Sequence, residues 1–140
     1  MGIGKKISKL IKAIKWHIVR KKRKQFQSKG EGLIRAWLRY SNIKFIEQYE
    51  VFLPELPNET GLAFIDFVIK KNKTAIEFNG KQHYCYVPFF HRNGEGDLLI
   101  QKERDSMIKN WCLKNGYKFV EIPYTYTADE IINTLKNIVK

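Results

Sequence analysis

Residues 64 to 105 contain three acids and a histidine that could come within reach of one point. Asp66 and Glu77 interrupt two apolar runs, His83 follows soon afterwards, and Asp105 comes later in the chain. Two carboxylates on paired strands can hold a hard divalent cation through oxygen ligands. A histidine backed by another carboxylate can move a proton beside such an ion. These residue types indicate a metal-dependent hydrolase.

The first two acids become direct neighbours if Lys71 and Asn72 form the tip of a hairpin. Asp66 then lies across from Glu77, with Cβ atoms about 5 Å apart. Facing carboxylates repel, so this pairing costs stability unless a cation or a proton offsets it. We predict that the two acids bind a metal; the alternatives are that both are solvated or that the register differs. The opposite face would carry an apolar core layer formed by Ile65, Phe67, Ile69, Ile76 and Phe78.

Two further acids have ordinary structural interpretations. Glu31 stands three residues after Ser28, which fits the capping box of a helix N-terminus. Asp105 precedes Lys109 by four residues, a spacing that favours an ion pair on a helix surface. The residues alone leave the structural and the catalytic role open for both acids.

Positive charge is concentrated at the N-terminus. The chain of 140 residues has a formal net charge of +12, and its first 30 residues contain 11 basic side chains and no acid. Such an arm favours a polyanion, because neutralised phosphates release counterions. An anionic membrane surface would suit it equally. The arm residues that we expect to contact nucleic acid are Lys12, Lys15, Arg20, Lys21, Lys22, Arg23 and Lys24.

The same arm has an apolar stripe that predicts an amphipathic helix. The stripe could pack on the rest of the protein, lie along DNA or lie on a membrane. Its apolar run is too short to span a bilayer, and its lysines argue against a signal peptide. We therefore divide the chain into a basic arm, 1–27, and a domain, 28–140, and expect a cytoplasmic protein. The stripe consists of Ile3, Ile7, Leu10, Ile11, Ile14 and Ile18.

The elements that must position these residues alternate between helices and strands. Three successive strands, a crossover helix and a fourth strand predict a mixed sheet covered by helices, which is an α/β fold. The first helix of the domain should bury an apolar stripe formed by Leu33, Ile34, Trp37 and Leu38. The predicted domain elements are helices over 28–40, 98–115 and from 128 onward, and strands over 44–53, 62–70, 73–79 and 118–122.

Six short motifs follow in order over residues 28 to about 124. They are Ser28-Lys29-Gly30-Glu31, Phe64-Ile65-Asp66-Phe67, Ile76-Glu77-Phe78-Asn79-Gly80-Lys81-Gln82-His83-Tyr84, Arg104-Asp105, Asn115-Gly116-Tyr117 and Ile122-Pro123-Tyr124. Together they resemble the very-short-patch-repair-like nucleases. These belong to the PD-(D/E)xK superfamily and include homing endonucleases of the EDxHD type, often carried by phages.

The resemblance implies a Mg²⁺-dependent DNA endonuclease, with Mn²⁺ as a substitute, built on a restriction-endonuclease-like sheet. It implies that Asp66 is the central metal ligand and that Glu31 is the acid from the first core helix. Glu77 is a further ligand on the hairpin argument. His83 would transfer the proton, and Asp105 would orient it or stabilise its charge.

One position departs from the superfamily pattern. The lysine of (D/E)xK would fall at Asn79, which cannot act as a cation or as a base. Either Lys81 or Gln82 fills that space, or His83 replaces the lysine as in the EDxHD type, and we favour the last. Lys81 or Arg104 would then stabilise charge in the transition state.

The expected partner is DNA, either double-stranded or branched, and a homodimer would allow both strands to be cut. Two other functions fit the same sequence. One is a DNA-binding module that keeps the nuclease fold without catalysis. The other is a membrane-surface protein, which leaves the internal acids and His83 without a role.

Overall fold

The computed structural model of the protein describes residues 2–20 and 28–139, and within 15–20 it describes the backbone only. The predicted DNA contacts Lys21, Lys22, Arg23 and Lys24 lie outside the described residues. The side chains of Lys15 and Arg20 lie outside them as well.

In this part of the chain, four α-helices and a four-stranded mixed sheet form an α/β fold, as the sequence predicted. The helices are α1 (Ile3–Arg20), α2 (Lys29–Tyr40), α3 (Glu95–Lys114) and α4 (Ala128–Ile138). The strands are β1 (Ile46–Phe52), β2 (Leu62–Ile69), β3 (Thr74–Asn79) and β4 (Lys118–Pro123). A 3₁₀ turn (Lys81–His83), which the sequence did not predict, follows β3.

The chain forms two compact units. One comprises residues 1–26 and 50–64, and the other comprises 27–49 and 65–140. Residues 50–64 therefore group with the arm, whereas the predicted division assigns them to the domain 28–140. The assignment of 28–140 as a nuclease domain stays a prediction.

The sheet has the strand order β1-β2-β3-β4. Strands β2 and β3 are antiparallel, as a short hairpin requires, whereas β3 and β4 are parallel. Because parallel neighbours need a crossover connection, α3 links them. This topology brings the end of β3, the 3₁₀ turn and α3 together.

The β2–β3 hairpin has the register predicted from the sequence. Phe67 pairs with Ile76, and the same register sets Asp66 across from Glu77. The turn covers 70–73 and is closed by a 3.3 Å backbone hydrogen bond between its last and first residues. Because side chains alternate along a strand, the apolar pair and the acidic pair lie on opposite faces of the sheet.

The core of the second unit packs α2 and α4 against the apolar face of the sheet. Ile34 and Leu38 of α2 are fully buried, and Leu33 and Trp37 pack against the same cluster, as predicted. Such a stripe explains why α2 forms here, since a short helix gains most of its stability from an amphipathic face that packs. The cluster consists of Ile34, Leu38, Phe67, Ile69, Ile76, Ile122, Ile131 and Leu135.

Helix α3 begins at Glu95, three residues before the predicted start at Leu98. The two nearby glycines indicated a loop, but the acids in the first turn outweigh them. Asp97 Oδ2 accepts a hydrogen bond from the N–H of Asn93 at 3.0 Å, and acids near a helix N-terminus are favoured by the helix dipole. Among the helices that the structure describes, none is both long and apolar enough to cross a membrane.

Candidate active site

Three carboxylates from three elements of the second unit lie close enough to repel one another. They are Glu31 of α2, Asp66 of β2 and Glu77 of β3. The N–H of Asp66 donates to Glu77 Oε1 at 3.2 Å, and the N–H of Phe78 donates to Asp66 Oδ2 at 2.8 Å. Gln48 Nε2 donates to Asp66 Oδ1 at 3.3 Å. Both strand acids are thus held by hydrogen bonds to their charged forms.

The pKa values of the two strand acids are raised. Burial raises the pKa of Asp66 from its usual 3.8 to about 7, and the negative charge of Glu31 adds to the rise. The pKa of Glu77 is raised well above 4.5, first by burial and then by Asp66, with smaller contributions from Asp105 and Glu31. The hydrogen bonds to both acids lower these pKa values without cancelling the rise. Buried neighbouring carboxylates of this kind favour a bound proton or a bound cation.

Glu31 belongs both to the helix cap and to the acid cluster, the two roles that the sequence left open. The N–H of Ser28 donates to Glu31 Oε2 at 3.0 Å, and the N–H of Glu31 donates to Ser28 Oγ at 3.2 Å, which completes the capping box. The same carboxylate lies close enough to Asp66 for its negative charge to raise the pKa of Asp66. Gly30 permits this approach, because a Cβ there would lie 2.3 Å from the ring of Phe78. The helix cap and the acid cluster therefore share one side chain.

His83 is held by a carboxylate from α3. Its Nδ1 lies 2.8 Å from Asp105 Oδ2, and their side chains are 18% and 31% exposed. Because Asp105 accepts at Nδ1, a neutral His83 carries its hydrogen there and leaves the Nε2 lone pair available. Among the described residues, Asp105 is hydrogen-bonded to His83, and no ion pair joins it to Lys109, the alternative that the sequence offered. This geometry suits a general base.

A second histidine, His91, orients the side chain of Gln101, which in turn lies beside His83. His91 is 1% exposed, and the N–H of Val87 donates to its Nδ1 at 2.8 Å. The hydrogen of His91 must then be on Nε2, which lies 3.1 Å from Gln101 Oε1. Gln101 Nε2 consequently faces His83, 3.4 Å from its Nε2. Sequence reasoning gave His91 no role and missed Gln101, whose only signal is its place four residues before Asp105 on one helix face.

Asn79 makes a structural contact. It is buried, and its Nδ2 donates to Glu121 Oε1 on the parallel strand β4. Glu121 is paired with Glu77 in the parallel β3–β4 register. Its place beside the site therefore follows from that register and could not be inferred from the sequence. Beside these residues is a cavity of about 130 Å³ lined by Glu77, Asn79, Asp105, Ser106, Ile108, Lys109, Phe119 and Glu121.

The remaining predicted site residues of the domain lie on the 3₁₀ turn with His83 and on α3 beside Asp105. Lys81 is exposed on the 3₁₀ turn. Gln82 and Arg104 line a cavity of about 350 Å³ together with His91 and Gln101. In the part of the chain that the structure describes, Arg104 Nε is buried without a hydrogen-bond acceptor. A buried donor of this kind costs free energy unless a ligand or a water accepts its hydrogen bond.

The acid cluster fits a hard cation by its chemistry. Residues 2–20 and 28–139 contain no group of three His, Cys, Asp or Glu side chains that is already arranged as a ligand set. Glu31, Asp66 and Glu77 offer only carboxylate oxygens. Mg²⁺ and Mn²⁺ prefer such oxygens, and Mg²⁺ commonly takes only one or two carboxylates with water completing its shell. The raised pKa values of the two strand acids agree with a missing positive charge.

Comparison with known proteins connects the chain to viral proteins. No family model matches it. It is 42% identical over 103 residues to uncharacterized protein 094L of Frog virus 3 (isolate Goorha), a match covering 71% of this chain and 64% of that protein. The chain is homologous to iridovirus proteins.

Two shorter matches come from invertebrate viruses. The chain is 43% identical over 57 residues to uncharacterized protein 033L of Invertebrate iridescent virus 3, which covers 41% of this chain and 29% of that protein. It is 39% identical over 61 residues to uncharacterized protein 307L of Invertebrate iridescent virus 6, with 44% and 30% covered. These matches span less than two thirds of each relative's length.

Proposed function

We propose that the protein is a metal-dependent DNA endonuclease of the very-short-patch-repair-like, EDxHD type within the PD-(D/E)xK superfamily. One observation supports this most: Glu31, Asp66 and Asp105, which the resemblance implies, come from three separate elements and all act on the charge of Glu77, and Asp105 also holds His83. If these acids were ordinary surface residues, their raised pKa values and their proximity to a histidine held by Asp105 would have no explanation.

The acid pair provides the metal-binding side of the proposed site. When bound at Asp66 with Glu77 or Glu31, Mg²⁺ supplies Lewis acidity and neutralises charge at the scissile phosphate. The chain itself fixes the position of Asp66, since Phe78 and Gln48 each donate to one of its oxygens. Such a rigid anchor reduces the reorganisation needed when substrate binds.

His83 provides the proton-transfer side. The water oxygen attacks phosphorus in line with the leaving 3′ oxygen, and the water proton passes to His83 Nε2. Asp105 keeps the hydrogen on Nδ1 and stabilises the imidazolium that forms. Arg104, whose Nε lacks an acceptor, and the exposed Lys81 are the cations that would contact the phosphate.

The basic arm provides affinity for DNA that does not depend on sequence. Its proposed contacts are Lys12, Lys15, Arg20 and the basic run 21–24, and the argument for them rests on charge alone. We propose a double-stranded or branched DNA substrate in the cytoplasm and a homodimer if both strands are cut. The homologous iridovirus proteins support a viral setting for such an activity.

A plasmid assay tests the proposal. The full chain with Mg²⁺ should nick or linearise supercoiled DNA, and Asp66→Asn should abolish cleavage while retaining DNA binding. Asp129→Asn is the matched control, because Asp129 is an exposed acid in the first turn of α4. Equal cleavage by wild type and Asp66→Asn would overturn the proposal. Linear, mismatched and four-way substrates then define the preferred DNA structure.

A DNA-binding module without catalysis is the second candidate. The observation that favours it is Asn79, which binds Glu121 where the superfamily has a lysine. Salt-sensitive DNA binding without cleavage in either Mg²⁺ or Mn²⁺ would support this function over the nuclease.

A further inference from the structure

Helix α1 carries its apolar stripe on an exposed side. Ile3, Ile7, Leu10, Ile11 and Ile14 are between 46% and 79% exposed. All five fall within an arc of about 100° when each residue advances the helix by 100°. Isolated exposed aliphatic side chains are ordinary, but a continuous row of five marks an interaction surface.

A different side of α1 contacts the rest of its own unit. Lys9 Nζ donates to the carbonyl oxygen of Leu56 at 2.7 Å and also to that of Pro54. Lys6 Nζ lies 3.8 Å from Glu55 Oε1, and Ala13 is buried on the same side of the helix. Within this unit, α1 therefore packs through polar contacts and leaves its aliphatic row outward.

The charge of α1 selects among possible partners. Lys5 and Lys12 are exposed on the side of the helix roughly opposite the row, and residues 1–30 contain no acid. Phosphates of DNA would attract the lysines but would gain nothing from the isoleucines. A bilayer with anionic headgroups rewards both features, since aliphatic side chains enter the acyl boundary while lysines remain at the phosphates.

We propose that α1 binds in the plane of an anionic phospholipid bilayer, with the row Ile3, Ile7, Leu10, Ile11 and Ile14 in the acyl boundary. The helix lies on the membrane, because no described helix is long and apolar enough to span it. This surface function is separate from the proposed nuclease site and would hold that site near a membrane.

Vesicle co-sedimentation of the full chain tests this binding. Vesicles with roughly 30% phosphatidylserine in phosphatidylcholine should bind the protein at least about tenfold more than phosphatidylcholine alone. The double substitution Ile7→Asp with Ile11→Asp should reduce binding by about tenfold or more. Leu113→Asp is the matched control, because Leu113 is an equally exposed aliphatic residue of α3 and should leave binding unchanged.

A second pair, Lys5→Glu with Lys12→Glu, tests the electrostatic part and keeps the proposal falsifiable if the first pair unfolds the chain. It should reduce binding to anionic vesicles and leave the thermal unfolding temperature unchanged. Equal binding to both vesicle types overturns the proposal. So does a stripe variant that loses only duplex DNA affinity, or one that only converts a dimer to a monomer in sedimentation equilibrium.

Discussion

Replacing the buried carboxylate of Asp66 by an amide should stabilise the metal-free protein at alkaline pH. Asp66 is 9% exposed, and its pKa rises from 3.8 to about 7 in the folded chain. The folded state therefore binds this proton more tightly than the unfolded state. The associated stability is fully present below about pH 4 and is lost as the pH rises through about 7.

The expected size follows from the same pKa shift. Between pH 5 and pH 8, a group with these two pKa values changes the free energy of unfolding by about 2–3 kcal/mol. The amide that Asp66→Asn introduces cannot titrate, yet its oxygen can still accept from the N–H of Phe78. The variant should therefore lose less stability than the wild type over this range.

Urea unfolding in the presence of a chelator, at pH 5, 6, 7 and 8, measures this difference. Asp66→Asn should gain about 2 kcal/mol relative to wild type on going from pH 5 to pH 8. The control Asp129→Asn changes an exposed acid and should follow the wild-type dependence. Parallel curves for wild type and Asp66→Asn would refute the reasoning, because Asp66 would then titrate alike in both states.

Four further substitutions test the roles of residues in the site and in the core. Glu31→Gln preserves the capping-box acceptor, so the free energy of unfolding in urea should change by less than about 1 kcal/mol while cleavage is lost. Ser28→Ala should lower that free energy by about 1 kcal/mol and retain cleavage. The reverse pattern would contradict a Glu31 that serves both the helix cap and the acid cluster. In ¹⁵N NMR spectra, neutral His83 should carry its hydrogen on Nδ1, and Asp105→Ala should remove this preference; a wild-type Nε2–H form would count against the proposed base. Leu38→Ala should cost about 2–5 kcal/mol in urea unfolding, because Leu38 is fully buried, and a cost below about 1 kcal/mol would contradict the core assignment.

The hairpin and α2 were predictable because local patterns determine them. Asp66 and Glu77 each interrupt an apolar run, and shifting the register by one residue would move these acids away from each other and onto opposite faces. Ser28 and Glu31 predict the N-terminus of α2, because their spacing fits a capping box, and the structure contains that capping box. The start of α3 was wrong because Gly94 and Gly96 were given more weight than the acids of its first turn.

The site was predictable only in part, because several contacts depend on tertiary approach. The structure brings Glu31, Asp66 and Glu77 together, and it pairs His83 with Asp105. The distance of a side chain from α3 to the end of β3 cannot be obtained from periodicity, which is why Gln101 was missed. Glu121 was missed for the same reason.

The catalytic role of the acid cluster is tested most directly by single-turnover cleavage of an end-labelled duplex. The rate in Mg²⁺ should fall by at least about a thousandfold for Asp66→Asn, with DNA affinity retained and with Asp129→Asn close to wild type. Equal rates for the wild type and Asp66→Asn, or no cleavage of any DNA by the wild type in Mg²⁺ or Mn²⁺, would contradict the account.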